Sequence, residues 1–374
     1  MELWIIMALT QIENGMITDS TIAIGKLNTT GTASSSVALK GDFSWGAAAS
    51  TSGKWSCVAS APGSPTAGDI WYTGGKIYIA VGTDYSGWNT GPNCNNAAQH
   101  MGNAGTASAG LTFGGHIWPG GAHNKTEEYN GTAWTQVNNM LTIRNAHGSS
   151  GTQTAGLSWA GLTPSTSNAT HEYDGTSWAT SGNFSASAEY SSGFGTQSNT
   201  TAAAGEPYST NCYEYNGSSW STGGTRATAT KQCAGAGATG SAGLVGGGYH
   251  SPTFTNNTEE YDGTSWSAGG DLPYSYHSEM GSWGTLTAAV ACGGSAGTRN
   301  NDVGNTDWTG IYDGTTWSTA QTMITIKAGL NGSGIGSTSS GMITQGYSYG
   351  KSKETCEEFS SNIGIWYTKE VGYT

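Results

Sequence analysis

The sequence predicts an all-β fold: a β-propeller of six four-stranded blades, with seven as the alternative, preceded by an irregular N-terminal attachment segment with a β-hairpin. Three observations carry this. The heptapeptide EYDGTSW at 172–178 returns unchanged at 260–266, with variants EYNGTAW at 128–134, EYNGSSW at 214–220 and IYDGTTW at 311–317. The motif tryptophans recur at a period of roughly 46 residues, which lies in the range of propeller blades. Finally, 60 glycines and only 10% charged residues accompany 15 tryptophans and 18 tyrosines. That much glycine suggests disorder, but aromatic residues that bury large areas and favour strands point to short strands joined by tight turns.

Each unit parses into four strands. The first follows the tryptophan after a polar loop, as in MLTIRNAHG from Met140 or MITIKAGL from Met323. The second is the Ala/Gly-rich theme that often ends in Gly-Gly, as in GTASAGLTFGG from Gly105, GTQTAGLSWAG from Gly151 and GSAGLVGGG from Gly240, decayed to NTTAAAGEP in the third unit. A variable loop follows, and the third strand runs into the motif tyrosine. Asp-Gly or Asn-Gly then reverses the chain, the strongest short-range hairpin signal, and the fourth strand carries the tryptophan. The repeat set is Tyr129, Gly131 and Trp134; Tyr173, Asp174, Gly175 and Trp178; Tyr215, Gly217 and Trp220; Tyr261, Asp262, Gly263 and Trp266; and Tyr312, Asp313, Gly314 and Trp317. Its role is structural: glycine supplies positive φ, Asp or Asn caps the turn, and the rings cement one blade to the next. Degenerate copies ending at Trp88 and Trp366 bound six units at 89–134, 135–178, 179–220, 221–266, 267–317 and 318–366; in the seven-blade alternative the hairpin ending at Trp88 lends strands to a last blade shared with the C-terminus. Residues 1–69 form the attachment segment, 70–88 a joining hairpin turning at Gly74–Gly75, and 367–374 a tail.

The net charge is −12, with only 13 Lys and Arg, so no basic stripe exists to neutralise nucleic-acid phosphates or to hold an acidic membrane surface. No apolar run approaches the roughly 20 residues of a membrane-spanning helix. The opening MELWIIMAL carries Glu2 where a signal peptide wants positive charge, and Met7 offers an alternative start. Six cysteines, at 57, 94, 212, 233, 292 and 356, include no Cys-x-x-Cys pair and suggest neither zinc nor a disulfide framework. Cys212 and Cys356 occupy the slot that Thr126, Thr170, Thr258 and Thr309 fill in other units, which reads as small residues packing on a strand.

The series of strand, Gly-Gly, variable loop, Tyr-Asp-Gly and Trp resembles a kelch-type β-propeller over roughly residues 89–366, in a divergent version that lacks the kelch arginine in every copy. The EEYDGTSW arrays with GTQTAGL resemble repeat proteins of tailed bacteriophages. ITDSTIAIGKL, LNTTGTASSSVALKGDFSW and IWYTGGKIYIA resemble segments of phage tail-fibre chains. The resemblance implies a virion protein, located on the exposed surface or tail, that joins other virion proteins through its N-terminal segment, with a trimer as the assembly to look for.

The sequence carries no strong catalytic pattern. Sialidase Asp boxes separate Asp and Gly by one residue, whereas Asp174–Gly175 and Asp262–Gly263 are adjacent; Arg144, Arg226 and Arg299 hold unrelated blade positions. The histidines at 100, 116, 123, 147, 171, 250 and 277 show no ligand pair on one strand of the kind a galactose-oxidase-like copper site needs. GAGATG at 235–240 reads as a turn between strands, not a phosphate cradle. Glu127–Glu128 and Glu259–Glu260 are strand neighbours that point to opposite faces, so they make poor acid/base pairs. No enzyme activity, cofactor or metal is expected.

Strand alternation places the loops after the fourth strand and those between second and third strands on one face, with the tight turns on the other. The variable loops bring His116, Trp118, Tyr249, His250, Phe254, Trp308, Tyr347 and Tyr349 to that face. Rings beside Asn, Ser and His suit recognition of a host-surface glycan or protein. The alternatives are a purely structural virion part and an extracellular glycan-active enzyme.

Overall fold

The computed structural model describes residues 87–361, apart from 204, 275–277, 296–303, 331–333 and 338, together with the strands Val37–Leu39, Trp45–Ala47, Trp55–Cys57, Ile70–Thr73, Lys76–Val81 and Ile365–Lys369. Most of the expected attachment segment, Gly74–Gly75, His277 and Arg299 lie outside the described residues. The chain divides into two units, Ser86–Asn362 and a second built from Met1–Tyr85 with Ile363–Thr374. In the second, Trp55–Cys57 runs parallel to Ile70–Thr73, which pairs antiparallel with Lys76–Val81, and Ile365–Lys369 adds a fourth strand.

The first unit is a ring of six four-stranded antiparallel blades. Blades 1 to 5 begin at Gly102, Gly148, Ser192, Ala234 and Gly281, and each runs through four consecutive long strands to a motif tryptophan. Blade 6 is composite. Its inner strands are Ile335–Ser337, Ser340–Ile343 and Glu357–Ser360, and its outer strand is Gly87–Thr90 from the start of the ring. Here the structure corrects the sequence boundaries, which closed the last unit at Trp366. Phe359 faces Trp88 in the register in which Tyr173 faces Trp178. The reason is local: tyrosine and tryptophan stand five positions apart in the motif (173 to 178), but Phe359 and Trp366 stand seven apart with no Asp-Gly turn. Trp366 lies instead in the strand paired with Lys76–Val81.

The apolar core is divided among six clusters, each at a seam between neighbouring blades. A lone blade has two sticky faces, and stacking around a closed ring covers both. The motif supplies the seams' polar bonds. Tyr129, Tyr173 and Tyr215 donate their hydroxyls to Glu358, Glu128 and Glu172 of the preceding blade at 2.9, 2.8 and 2.7 Å. Tyr261 and Tyr312 do the same to Glu214 and Glu260. At the remaining seam the donor is replaced by Phe359 and the acceptor by Ile311, and the two pack in one cluster. Indole N–H groups make a second series: Trp88, Trp178, Trp220 and Trp317 donate to Thr309, Thr126, Thr170 and Thr258 at 2.9–3.0 Å. Cys356 and Cys212 hold the equivalent slots opposite Trp134 and Trp266, whose buried indole nitrogens find no oxygen acceptor there. The cysteine slots are thus seam positions that lost an acceptor.

All five motif turns share one geometry. The side-chain oxygen of Asn130, Asp174, Asn216, Asp262 or Asp313 accepts two backbone N–H bonds, as in Asp174 with Thr176 at 2.8 Å and Ser177 at 2.7 Å. The following glycine sits at φ near +90°, for example 87° at Gly175. The Gly-Gly theme serves the seams: the N–H of Gly115 reaches Arg144 O at 2.7 Å and that of Gly294 reaches Lys327 O at 2.7 Å, each on the loop entering the next blade.

Two strand assignments are corrected. The innermost strands are Gly/Ser-rich, as in GSSGT at Gly148–Thr152, whereas MLTIRNAH ahead of it is loop. Near the axis neighbouring innermost strands approach closely: a Cβ on Gly235 would meet Gly193 O of the next one at 2.7 Å. The loop buries Met140 and exposes Leu141 and Ile143. Likewise most of GAGATG lies within the innermost strand Ala234–Thr239, with a register shift between Ala236 and Thr239, and only Gly240 belongs to the turn.

Candidate functional site

The variable loops gather on one face of the ring, where three of them form two-residue ribbons: His116–Ile117 with Gly121–Ala122, Tyr249–His250 with Thr253–Phe254, and Tyr347–Ser348 with Lys351–Ser352. Single bridges tie each to the inter-blade loops, Gln99 to His116, Lys231 to Tyr249 and Ala328 to Tyr347. All the expected recognition residues but Trp308 therefore stand on braced hairpins.

They fall into two groups. Around blades 6 and 1, His116 stacks on Trp118 with centroids 6.1 Å apart, and the Trp118 N–H donates to Ser352 Oγ at 2.9 Å. Trp118 is 52% exposed and Tyr349 66%, while Tyr347 is half-buried in its ribbon. Burial, and after it the charge of His100, lowers the His116 pKa. Around blades 3 and 4, Tyr249 contacts both Phe254 and Tyr208, with His250 exposed beside them. The eighth residue is a correction: Trp308 is 5% exposed, packs on Trp317 and donates its indole N–H to Thr319 Oγ1 at 3.4 Å, so it belongs to the blade core and not to the face.

The second group contains residues that the sequence reading missed. Lys231 Nζ lies 2.6 Å from Glu206 Oε2 and within 5.2–5.7 Å of the rings of Tyr190, Tyr208 and Tyr249. Burial works against its charge, but the bond to Glu206 and its negative charge outweigh that and raise its pKa. The signal was Tyr208 in the loop GEPYST, overlooked because the repeat theme has decayed there.

The axis is plugged at this face. His100, Ala146, Tyr190, Gln232 and Glu279 hold equivalent places ahead of the innermost strands, all with φ between 52° and 60°. The N–H of each of the first five reaches the carbonyl of its counterpart in the preceding blade, from His100 to Gly329 at 2.6 Å around to Glu279 and Gln232 at 2.9 Å, and Leu330 N–H to Glu279 O at 3.0 Å completes the circle. Across the axis Gln232 Nε2 donates to Glu279 Oε1 at 2.8 Å, His100 Nε2 stands 3.6 Å from that oxygen, and the His100 ring meets Tyr190 edge-on. Beyond the plug, a cavity of about 90 Å³ is walled by innermost strands, glycines alternating with Asn103, Ser149, Ser150, Ser282, Phe194 and Trp283 among others. It has room for about three waters.

The glutamate pairs divide their labour between the two faces of a strand. Glu127, Glu259 and Glu357 are buried and hold the loops entering their own blades: Glu127 accepts the N–H of Asn95 at 2.7 Å and of Asn96 at 2.9 Å, Glu259 that of Ala227 at 2.7 Å with Arg226 at 3.1 Å, and Glu357 that of Ile324 at 2.8 Å. Their neighbours take the tyrosine hydroxyls. His147 and His171 flank Arg144 inside blade 2, and burial with the Arg144 charge lowers their pKa to about 3 and about 4. His123 falls to about 4, chiefly through burial. Among the described residues no three His, Cys, Asp or Glu side chains converge as metal ligands.

No protein-family model and no curated protein matches the chain. A solved structure described as "Structure of YjhT" superposes with a TM-score of 0.60 at 12% identity, covering 75% of this chain and 99% of that chain. At that identity the likeness concerns the fold: this chain shares a propeller architecture with it.

Proposed function

We propose that the chain is a non-enzymatic binding protein of a tailed-phage virion, anchored through its N-terminal region and presenting the loop-bearing face of its propeller to a host-surface ligand, a glycan first. One observation carries this reading: exposed rings, Trp118 and Tyr349 foremost, stand on braced hairpins around a face whose axis is closed, so contact is made at the rim. Rings supply contact area at small entropy cost, which suits sugar faces. The buried glutamates and histidines have structural partners, which favours binding over turnover. The phage assignment rests on the sequence resemblance, as does the expectation of a trimer.

The test is binding of the purified full chain to arrayed bacterial surface polysaccharides. Trp118→Ala and Tyr349→Ala should each weaken capture by about 5- to 150-fold, the effect of losing a contact of ~1–3 kcal/mol. Unchanged capture by both variants would remove the rim site, and release of sugar fragments would make the protein an enzyme. A second reading, a structural virion part that docks neighbours, is favoured by exposed Leu141, Ile143 and Ile324 on equivalent inter-blade loops. In that case Leu141→Ser with Ile143→Ser impairs incorporation into particles, and the aromatic variants do not.

A further inference from the structure

The ring closes inside blade 6, where strand pairing and side-chain packing, and no covalent turn, hold the outer strand. Blades 1 to 5 receive their outer strand through a short turn, whereas Gly87–Thr90 joins Glu357–Ser360 from the far end of the ring. Beside that junction two cysteines meet. The Sγ atoms of Cys94 and Cys356, separated by 262 positions, lie 3.3 Å apart. The pairing continues up to them, with Gly91 N–H on Cys356 O at 3.0 Å and Cys94 N–H on Glu354 O at 2.9 Å. Both are buried under Trp134 and Met342. Cys212 and Cys233 share the seam of blades 3 and 4, and Cys292 lies in that of blades 5 and 6.

We propose that Cys94 and Cys356 form a disulfide that locks the ring once the chain folds outside a reducing compartment. A disulfide needs sulfurs about 2.05 Å apart, so the pair must close by about 1.3 Å, within the reach of side-chain rotation. The oxidant is a low-molecular-weight disulfide. The Cys356 thiolate attacks one of its sulfurs, forming a mixed disulfide and releasing one thiolate. Cys94, deprotonated, then attacks the Cys356 sulfur and expels the second thiolate; the two cysteine protons end on the two small thiols, and two electrons pass to the oxidant. Because both thiols are covered in the closed ring, the first attack belongs to folding, before Gly87–Thr90 docks, and the second accompanies docking, which brings Cys94 to Cys356. Afterwards the bond is shielded from reductant. Cross-linking positions so far apart removes more unfolded-chain freedom than any turn-local bond would.

The experiment refolds the full chain from denaturant in a reduced/oxidised glutathione mixture and, in parallel, in dithiothreitol. Oxidative refolding should lower the mass by two hydrogens, yield a peptide linking Cys94 to Cys356, and raise the melting midpoint by about 10 °C over the reduced protein. Cys94→Ser and Cys356→Ser should each lose that difference, and Cys233→Ala should keep it. The mass and peptide measurements need no variant, so a variant that fails to fold leaves the test intact. Free Cys94 and Cys356 after oxidative refolding, or a dominant different pairing, overturns the proposal. A 94–356 link with no rise in melting midpoint overturns its role as a lock.

Discussion

A single hydroxyl decides how a seam is built. Five seams carry a tyrosine on a glutamate, and the sixth carries Phe359 against Ile311, so donor and acceptor are lost together. A half-made bond leaves a polar group unpaired, which costs more than having neither partner. Phe359→Tyr and Ile311→Glu should therefore each destabilise the ring by about 1–3 kcal/mol, and the double variant should recover most of it, a coupling read by denaturant unfolding of the four-protein cycle. Additive losses would mean that the two positions do not meet. The indole series makes a parallel case. Trp266 faces the Cys212 slot without an oxygen acceptor, and Cys212→Thr should stabilise by about 0.5–1.5 kcal/mol in thermal melts. Trp308, buried in blade 5, should behave as a core residue: Trp308→Ala costs about 3–5 kcal/mol of stability, whereas Trp118→Ala leaves the melt unchanged.

At the scale of elements, the motif turn titrates. Backbone N–H bonds from Ser177 and Thr176 hold the Asp174 carboxyl below its ordinary pKa, and the equivalent residues do so for Asp262 and Asp313. A depressed carboxylate contributes stability that is complete above the unfolded pKa, near 3.9, and is lost as pH falls through the folded value. Asn130 and Asn216 make the same two bonds without a charge. The triple variant Asp174→Asn, Asp262→Asn and Asp313→Asn should thus melt like the parent at pH 7 and lose less stability than the parent below about pH 4. A triple variant that unfolds at neutral pH would show that the charge, not the bond geometry, makes the turn.

For the whole molecule, closure and internal histidines set the limits of stability. A chain starting at Gly91 lacks the outer strand of blade 6 and should fail to give a cooperative melt, whereas one starting at Ser86 should retain it; equal melts would show that closure is dispensable. His123, His147 and His171 are held neutral, with pKa values of about 4, about 3 and about 4. The unfolded chain binds their protons from about pH 6.5 downward while the folded ring does not, so stability is full above 6.5 and declines until the folded values are reached. The acid limb of the melting curve should therefore begin near pH 6.5, well before the aspartates titrate, and replacing His171 with glutamine should shorten it.

The sequence by itself determined the unit. The turn and the tyrosine and tryptophan at five of the seams are local or periodic, because each of those copies repeats the same residues, whereas the choice of six blades over seven was made by ring closure. The plan of the loop-bearing face was likewise legible, since alternation of four antiparallel strands puts the variable loops on one side. Tertiary structure alone decided what depends on contacts across the ring. The closing strand is Gly87–Thr90 and not the stretch at Trp366, because pairing with Phe359 is chosen by register and ring geometry across more than half the chain. The innermost strand is glycine and serine, not the apolar MLTIRNAH, because crowding at the axis excludes side chains that periodicity would favour. Trp308 turned inward onto Trp317 of its own blade, while Lys231 and Tyr208 joined Tyr249 from separate loops, since which aromatic of a variable loop faces solvent is settled by packing outside its own segment. The meeting of Cys94 and Cys356 is the extreme instance: no spacing rule connects residues at opposite ends of the ring, and only closure brings them together.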